Sequence, residues 1–249
     1  MLSCMGDSAH DAAHVYRVLF NALEIAQSEG PVDGDVLIGA CLLHDIGRGE
    51  QRATPSLCHA QVGAEKAYRF LRENRFDEAY ARAVAHCIAA HRFRGNTPPQ
   101  SLEAKILFDA DKPDSTGAIG MARTLLYKGA VGDPLYRVDE EGRVSDGTGD
   151  LQPSFFQEYK TKLEKLYTGF YTERGAAMAR SRRQAAAAFY ENLLGETAET
   201  YRGGRQRLRS ILERPDATRK EGGAETVQNG EDAACGRKCR DCKGGNFAL

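Results

Sequence analysis

Long hydrophobic runs are missing from this chain of 249 residues. The longest, Val36 to Leu43, has eight residues and contains a glycine. A bilayer-spanning helix needs roughly 20 apolar residues in a row, so no membrane partner is expected. An excess of charge is missing too: 34 Lys and Arg stand against 35 Asp and Glu, a formal net charge of −1. No global field draws the chain to nucleic acid or to an anionic membrane, and no stable nucleic-acid partner is expected. A polyanion must be held by a local basic patch. The start, Met1-Leu2-Ser3-Cys4-Met5-Gly6-Asp7, lacks the basic and apolar regions of a secretory signal. Seven cysteines is an odd number without the pattern of a secreted disulfide scaffold, which points to reduced thiols and a cytoplasmic protein. Valine and isoleucine are scarce, 17 against 55 alanines and leucines, and that balance favours helix over strand.

What is present repeats with helical spacing. Val15, Val18, Leu19, Ala22, Leu23 and Ala26 form one stripe, ended by Gly30-Pro31. Val36 to Ile46 is apolar nearly all round, as a central buried helix would be, with Gly47 placed as its C-cap. Further helices are expected from Pro55 to Leu71, behind Asp77 through Ile88, and behind Ser101 through Leu107. Glycines in the stretch 117–123 allow close helix approach, 129–152 reads as a long surface loop, and Pro153–Tyr171 and Glu173–Leu194 read as two long helices. No strand alternation stands out, so the fold class is all-α. From about Glu213 the pattern is lost and a disordered tail is expected over 213–249, after a short helix or linker at 196–212. Cys235, Cys239 and Cys242 in that tail are three thiols without a histidine, one ligand short of a structural zinc site.

All six histidines (His10, His14, His44, His59, His86 and His91) fall in the first 91 residues. His44-Asp45 ends the most apolar helix, where an ionisable pair needs partners. Imidazole and carboxylate together suit a borderline divalent cation. His14 sits on the edge of the first buried stripe, and Asp109-Ala110-Asp111 offers two carboxylates on a largely apolar helix. Those two carboxylates point about 200° apart, so both cannot face one ion, and hydropathy phase leaves the choice between them open.

His14 in Asp11-Ala12-Ala13-His14, then His44-Asp45-Ile46-Gly47, then Ala110-Asp111-Lys112 resemble, in their order, the HD superfamily of metal-dependent phosphohydrolases. The stretch Asp109-Ala110-Asp111-Lys112-Pro113-Asp114 through Gly117-Ala118-Ile119-Gly120 to Arg123 is similar to that of small stand-alone bacterial HD proteins. The resemblance covers about residues 8–195. It implies a multi-helix HD domain over 1–195, with its motifs in 8–125 and a helical extension at 153–195. It implies His14, His44, Asp45 and Asp111 as metal ligands, the Ala-Asp-Lys context favouring Asp111, and a divalent cofactor among Mn, Fe, Mg, Co and Ni, with Mn favoured. His59 and His91 are implied to act in the site, holding a second ion in binuclear members and substrate in mononuclear ones. His10 and His86 are left as surface residues. Arg17, Arg48, Lys112 and Arg123 are candidate contacts to phosphate, with Arg92 and Arg94 as a second basic group. The implied reaction is hydrolysis of a phosphate ester or anhydride of a small phosphorylated substrate, a nucleotide above all, by metal-activated water. The alternative is a non-catalytic regulatory module that binds metal or nucleotide. Homo-oligomerisation stays open. Two departures stand out: Pro113 where relatives carry leucine, expected to bend the helix and shift Asp111, and Arg48 where several relatives place a catalytic carboxylate, which leaves Glu50 as the nearest acid.

Overall fold

The computed structural model describes residues 11–92 and 97–213. Among these the chain is all-α, with no strand and one isolated antiparallel bridge between Val138 and Val144. The helices are α1 (Ala12–Ala26), α2 (Gly34–Leu43), α3 (Arg48–Ala53), α4 (His59–Glu73), α5 (Glu78–Ala90), α6 (Leu102–Asp111), α7 (Gly117–Val131), α8 (Phe155–Thr161) and α9 (Glu173–Leu212). No helix among them is long and apolar enough to cross a membrane. His10, Arg94 and the stretch 214–249 with its three cysteines lie outside the described residues.

Several helices begin at a side chain that accepts from an otherwise orphaned amide. Asp11 accepts from His14 N, Asp33 from Val36 N, Asp77 from Ala79 N and Tyr80 N, and Ser101 from Ala104 N. Each such cap is worth about 1 kcal/mol. One core joins α1, α2, α4, α5 and α6 through Val18, Ile25, Leu37, Cys41, Leu71, Val84, Ile88, Ile106 and Leu107, all almost fully buried. A second core gathers Met121, Phe155, Phe156, Tyr159, Leu163 and Tyr190. Each fully buried Val, Leu, Ile, Met or Phe stabilises the fold by about 1.5–3 kcal/mol. Residues up to Leu208 form one compact unit, and a second begins at Arg209.

The central helix stops earlier than its apolar run suggests. It ends at Leu43 with His44 as its C-cap, and a tight turn over 44–47 leads directly into α3. Gly47 is not a left-handed cap, for its φ is −89°. It is required by space: a Cβ there would lie 2.2 Å from the carbonyl oxygen of His59 and 2.6 Å from the amide nitrogen of Gly63. The turn that carries His44 and Asp45 is thus pressed against the start of α4.

Pro113 also has a definite consequence. Having no amide hydrogen, proline cannot extend the ladder of α6. The helix closes at Asp111 and the chain tightens into a 3-10 turn, Lys112–Ser115. α7 then packs its glycine face on that turn, a Cβ on Gly120 falling 2.3 Å from the Ser115 carbonyl.

Two expected helices differ. The first, read over 153–171, is only the short α8. Lys162 leaves the helical region at φ −130°, a 3-10 turn follows at Leu163–Lys165, and Gly169 turns the chain at φ 71°. The second runs on from Leu194 to Leu212, through Gly195, Gly203 and Gly204. Each of these glycines costs about 1 kcal/mol relative to alanine in a helix, and none of the three breaks it.

Gly47→Ala is expected to lower the unfolding free energy by about 1–3 kcal/mol through overpacking against backbone. The measurement is a urea unfolding curve, whose midpoint falls while its slope stays unchanged.

Candidate metal centre

His14, His44, Asp45, His59 and His91 come from α1, the end of α2, the start of α4 and the end of α5, and all five are buried. They form two groups that share Asp45. In one, His14 Nε2 and His44 Nε2 are 3.3 Å apart and lie 3.5 and 3.7 Å from Asp45 Oδ2. In the other, His59 Nε2 and His91 Nε2 are 3.2 Å apart and lie 3.7 and 3.8 Å from Asp45 Oδ1. Within each group the ligand atoms lie within 4.8 Å of one another.

The opposite nitrogen of every ring is already engaged. His14 Nδ1 meets Asp114 Oδ2 at 2.7 Å, His44 Nδ1 meets the Cys41 carbonyl at 2.7 Å, His59 Nδ1 meets Gln51 Oε1 at 2.8 Å, and His91 Nδ1 meets the Ile88 carbonyl at 2.6 Å. These partners are acceptors, so each Nδ1 carries the proton and each Nε2 presents a lone pair. Two lone pairs facing each other at such distances repel unless a cation or a donated proton lies between them. Asp45 Oδ2 makes the same point: it is buried and has no hydrogen-bond partner among the described residues. Ligands about 2.1 Å from one ion at tetrahedral to right angles are spaced about 3.0–3.4 Å apart, close to the spacings seen here. The donor set therefore fits a divalent metal ion.

Electrostatics favour a neutral imidazole at His44 and at His59. Burial pushes His44 down to about 4, and burial together with the Arg48 charge pushes His59 down to about 2. Burial also pulls His14 down, but its bond to the Asp114 carboxylate and the nearby Asp45 carboxylate raise it on balance. Asp45 would be pushed up by burial, and the Arg48 charge is foremost in holding it well below the usual carboxylate range.

The two carboxylates of Asp109-Ala110-Asp111 part company. Asp111 Oδ1 lies 3.6 Å from His14 Nε2. Asp109 is fully buried on another face, where it accepts from Tyr171 N at 2.8 Å, Thr172 N at 2.6 Å and Thr172 Oγ1 at 2.7 Å. It anchors the start of α9. Asp114 is the hub of a network: Arg17 Nε donates to its Oδ1 at 2.6 Å and Arg123 Nη1 sits 2.8 Å from its Oδ2. The signal for it was the spacing, three residues after Asp111, and the Pro113 turn is what carries it to His14.

The basic candidates divide. Arg48 Nε donates to Asp45 Oδ1 at 2.8 Å, and its side chain is 26% exposed. Arg17 is 35% exposed while bound to Asp114. Arg92 Nη1 donates to Cys58 Sγ at 3.3 Å. Lys112, expected beside phosphate, instead donates to the Gly169 carbonyl, with its ammonium 4.4 Å from the centres of both the Phe108 and Phe170 rings. It is buried there because the chain bends away at Pro113, and burial brings its pKa down to about 8. Glu50 pairs with Lys66 at 2.5 Å. His86 is half-buried and belongs to neither histidine group.

Residues 11–115 match the family model described as HD domain. A predicted HD superfamily hydrolase from an uncultured Thermotogales bacterium is 33% identical, over 76% of this chain and 83% of that one, with a TM-score of 0.50. YpgQ of Bacillus subtilis, in its crystal structure with ADP, is 26% identical over 76% of this chain and 90% of its own, with a TM-score of 0.58. A Lactobacillus plantarum protein is 25% identical over 78% and 92%, with a TM-score of 0.61.

Removing the charge of the acceptor behind His14 should weaken the centre without dismantling it. Asp114→Asn is expected to lower affinity for a divalent ion by about 10–100-fold, the usual effect of losing such an orienting partner. Asp109→Asn is expected to cost about 1–3 kcal/mol of stability and to leave that affinity unchanged. Calorimetric metal titration beside thermal unfolding separates the two.

Proposed function

The chain belongs to the HD superfamily of hydrolases, and from that premise we propose that it is a divalent-metal phosphohydrolase acting on a nucleotide. One observation carries the reading: two buried histidine pairs face each other across a single carboxylate, each ring fixed by an acceptor at its far nitrogen so that its lone pair points inward. We assign His14, His44, Asp45 and Asp111 as the residues that would hold the ion. An ion bound by such ligands acidifies water and polarises a phosphoryl oxygen.

The chain's own contribution is preorganisation. Asp114, braced by Arg17 and Arg123, fixes the tautomer and orientation of His14, so no reorientation is needed when substrate arrives. The buried walls around the histidines keep competing water away and strengthen every charge interaction at the centre. Arg48 and Arg17 are partly exposed at its edge, where a guanidinium can meet the oxygens of a phosphate that gain charge in the transition state. In the reaction a water oxygen bonds to phosphorus, the bond from phosphorus to the ester or anhydride oxygen breaks, and the water's proton leaves to the departing group or solvent.

Nucleotide as substrate is supported by the ADP held by YpgQ. Manganese is supported by the mixed imidazole and carboxylate donor set, which suits borderline ions. A reducing cytoplasm suits Cys41, Cys58 and Cys87, which are unpaired with one another. Purified protein supplied with Mn²⁺ and a panel of nucleoside mono-, di- and triphosphates is expected to release phosphate or pyrophosphate from at least one. Asp45→Ala should abolish this, with losses on the order of 10³-fold or more, while circular dichroism stays that of the parent. Tight nucleotide binding without turnover under any divalent ion would instead make the protein a regulatory module.

A further inference from the structure

The two histidine groups are alike in geometry and unlike in charge. Each has two Nε2 atoms 3.2–3.3 Å apart and a carboxylate oxygen within 3.8 Å. The oxygen that serves His14 and His44 has no hydrogen-bond partner among the described residues. The oxygen that serves His59 and His91 already receives the Arg48 Nε–H at 2.8 Å. We propose that Arg48 sets the number of ions this centre holds, by occupying Asp45 Oδ1 so that the pair His59 and His91 does not complete a metal site of its own.

The assignment rests on the phosphohydrolase reading above and extends it. A guanidinium keeps its charge at any working pH. Placed one ligand atom away from a dication, it repels that ion across a few ångströms of partly buried space, where screening is weak. Its hydrogen bond also draws density from the oxygen that would have to ligate.

Surroundings reinforce the difference. Behind His14 stands Asp114, itself paired with Arg17 and Arg123, and the Asp111 carboxylate lies 3.6 Å from the ligating nitrogen, a negative charge to which the second group has no counterpart in its own contacts. Behind His59 and His91 stand a neutral amide oxygen and a backbone carbonyl. Two basic side chains stand close by: Arg48, bound to Asp45, and Arg92, which follows His91 and donates to Cys58, the residue before His59. The first group attracts a cation; the second has the right donors and the wrong field.

Counting ions tests this without any activity assay. Dialysed protein is titrated with Mn²⁺ while bound metal is counted and electron paramagnetic resonance is recorded. The parent is expected to bind one equivalent tightly. Arg48→Gln and the near-isosteric Arg48→Met are expected to bind two, the second site tightening at least about tenfold, with a spin-coupled signal because Asp45 would bridge the ions. Arg48→Lys, which keeps the charge, should stay at one, and adding His59→Ala to Arg48→Gln should return the count to one. Two equally tight ions in the parent, or a single ion in folded Arg48→Gln and Arg48→Met, would overturn the proposal. No bound ion in the parent would instead sink the phosphohydrolase reading.

Discussion

A charged carboxylate at the end of the most apolar helix is the constraint on which this structure turns. Asp45 is buried with one oxygen facing each histidine pair. Removing a carboxylate from water is costly unless positive charge or hydrogen bonds replace the lost solvation. Arg48 answers part of that cost at Oδ1, and a cation at Oδ2 would answer the rest. The turn over 44–47, the bare backbone of Gly47 against α4, and the early end of α2 all serve to place this one group where four helices meet.

From Asp45 outward the architecture is a series of acceptors holding imidazoles. Two of the four are backbone carbonyls three residues back along the same helix, at Cys41 and Ile88, so the rings of His44 and His91 are oriented by the helices that carry them. The other two, Gln51 and Asp114, come from different segments. Asp114 reaches His14 across a hundred residues because Pro113 ends α6 and winds the chain into a tighter turn. A proline that reads as damage to a ligand-bearing helix is thus what brings the orienting carboxylate into place.

The candidate site was legible to different degrees at different residues. His44-Asp45 stood out through its place at the end of the most apolar run and its match, with His14 and Asp111, to the motif order of the HD superfamily. His14 showed through its phase on the stripe of α1. Hydropathy could not separate Asp109 from Asp111, since both lie on a helix that is buried nearly all round, and only the Ala-Asp-Lys context favoured Asp111. What distinguishes them is Thr172, more than sixty residues later, which takes Asp109 for the start of α9. The surroundings of Lys112 were illegible for the same reason: the Phe170 ring and the Gly169 carbonyl that hold its ammonium leave no trace near residue 112.

The amino-acid sequence by itself determined the helical class, the capped starts of several helices and the identity of the ionisable residues in apolar surroundings. These follow from local propensity and from a period of 3.6 residues, which neighbours along the chain are enough to define. Tertiary structure alone decided that one carboxylate would serve two histidine pairs, that Asp114 and not solvent would stand behind His14, and that Arg48 would load only one side of Asp45. Those outcomes depend on directions and distances of a few ångströms between side chains far apart in the chain, and only the packing of one helix against another sets them.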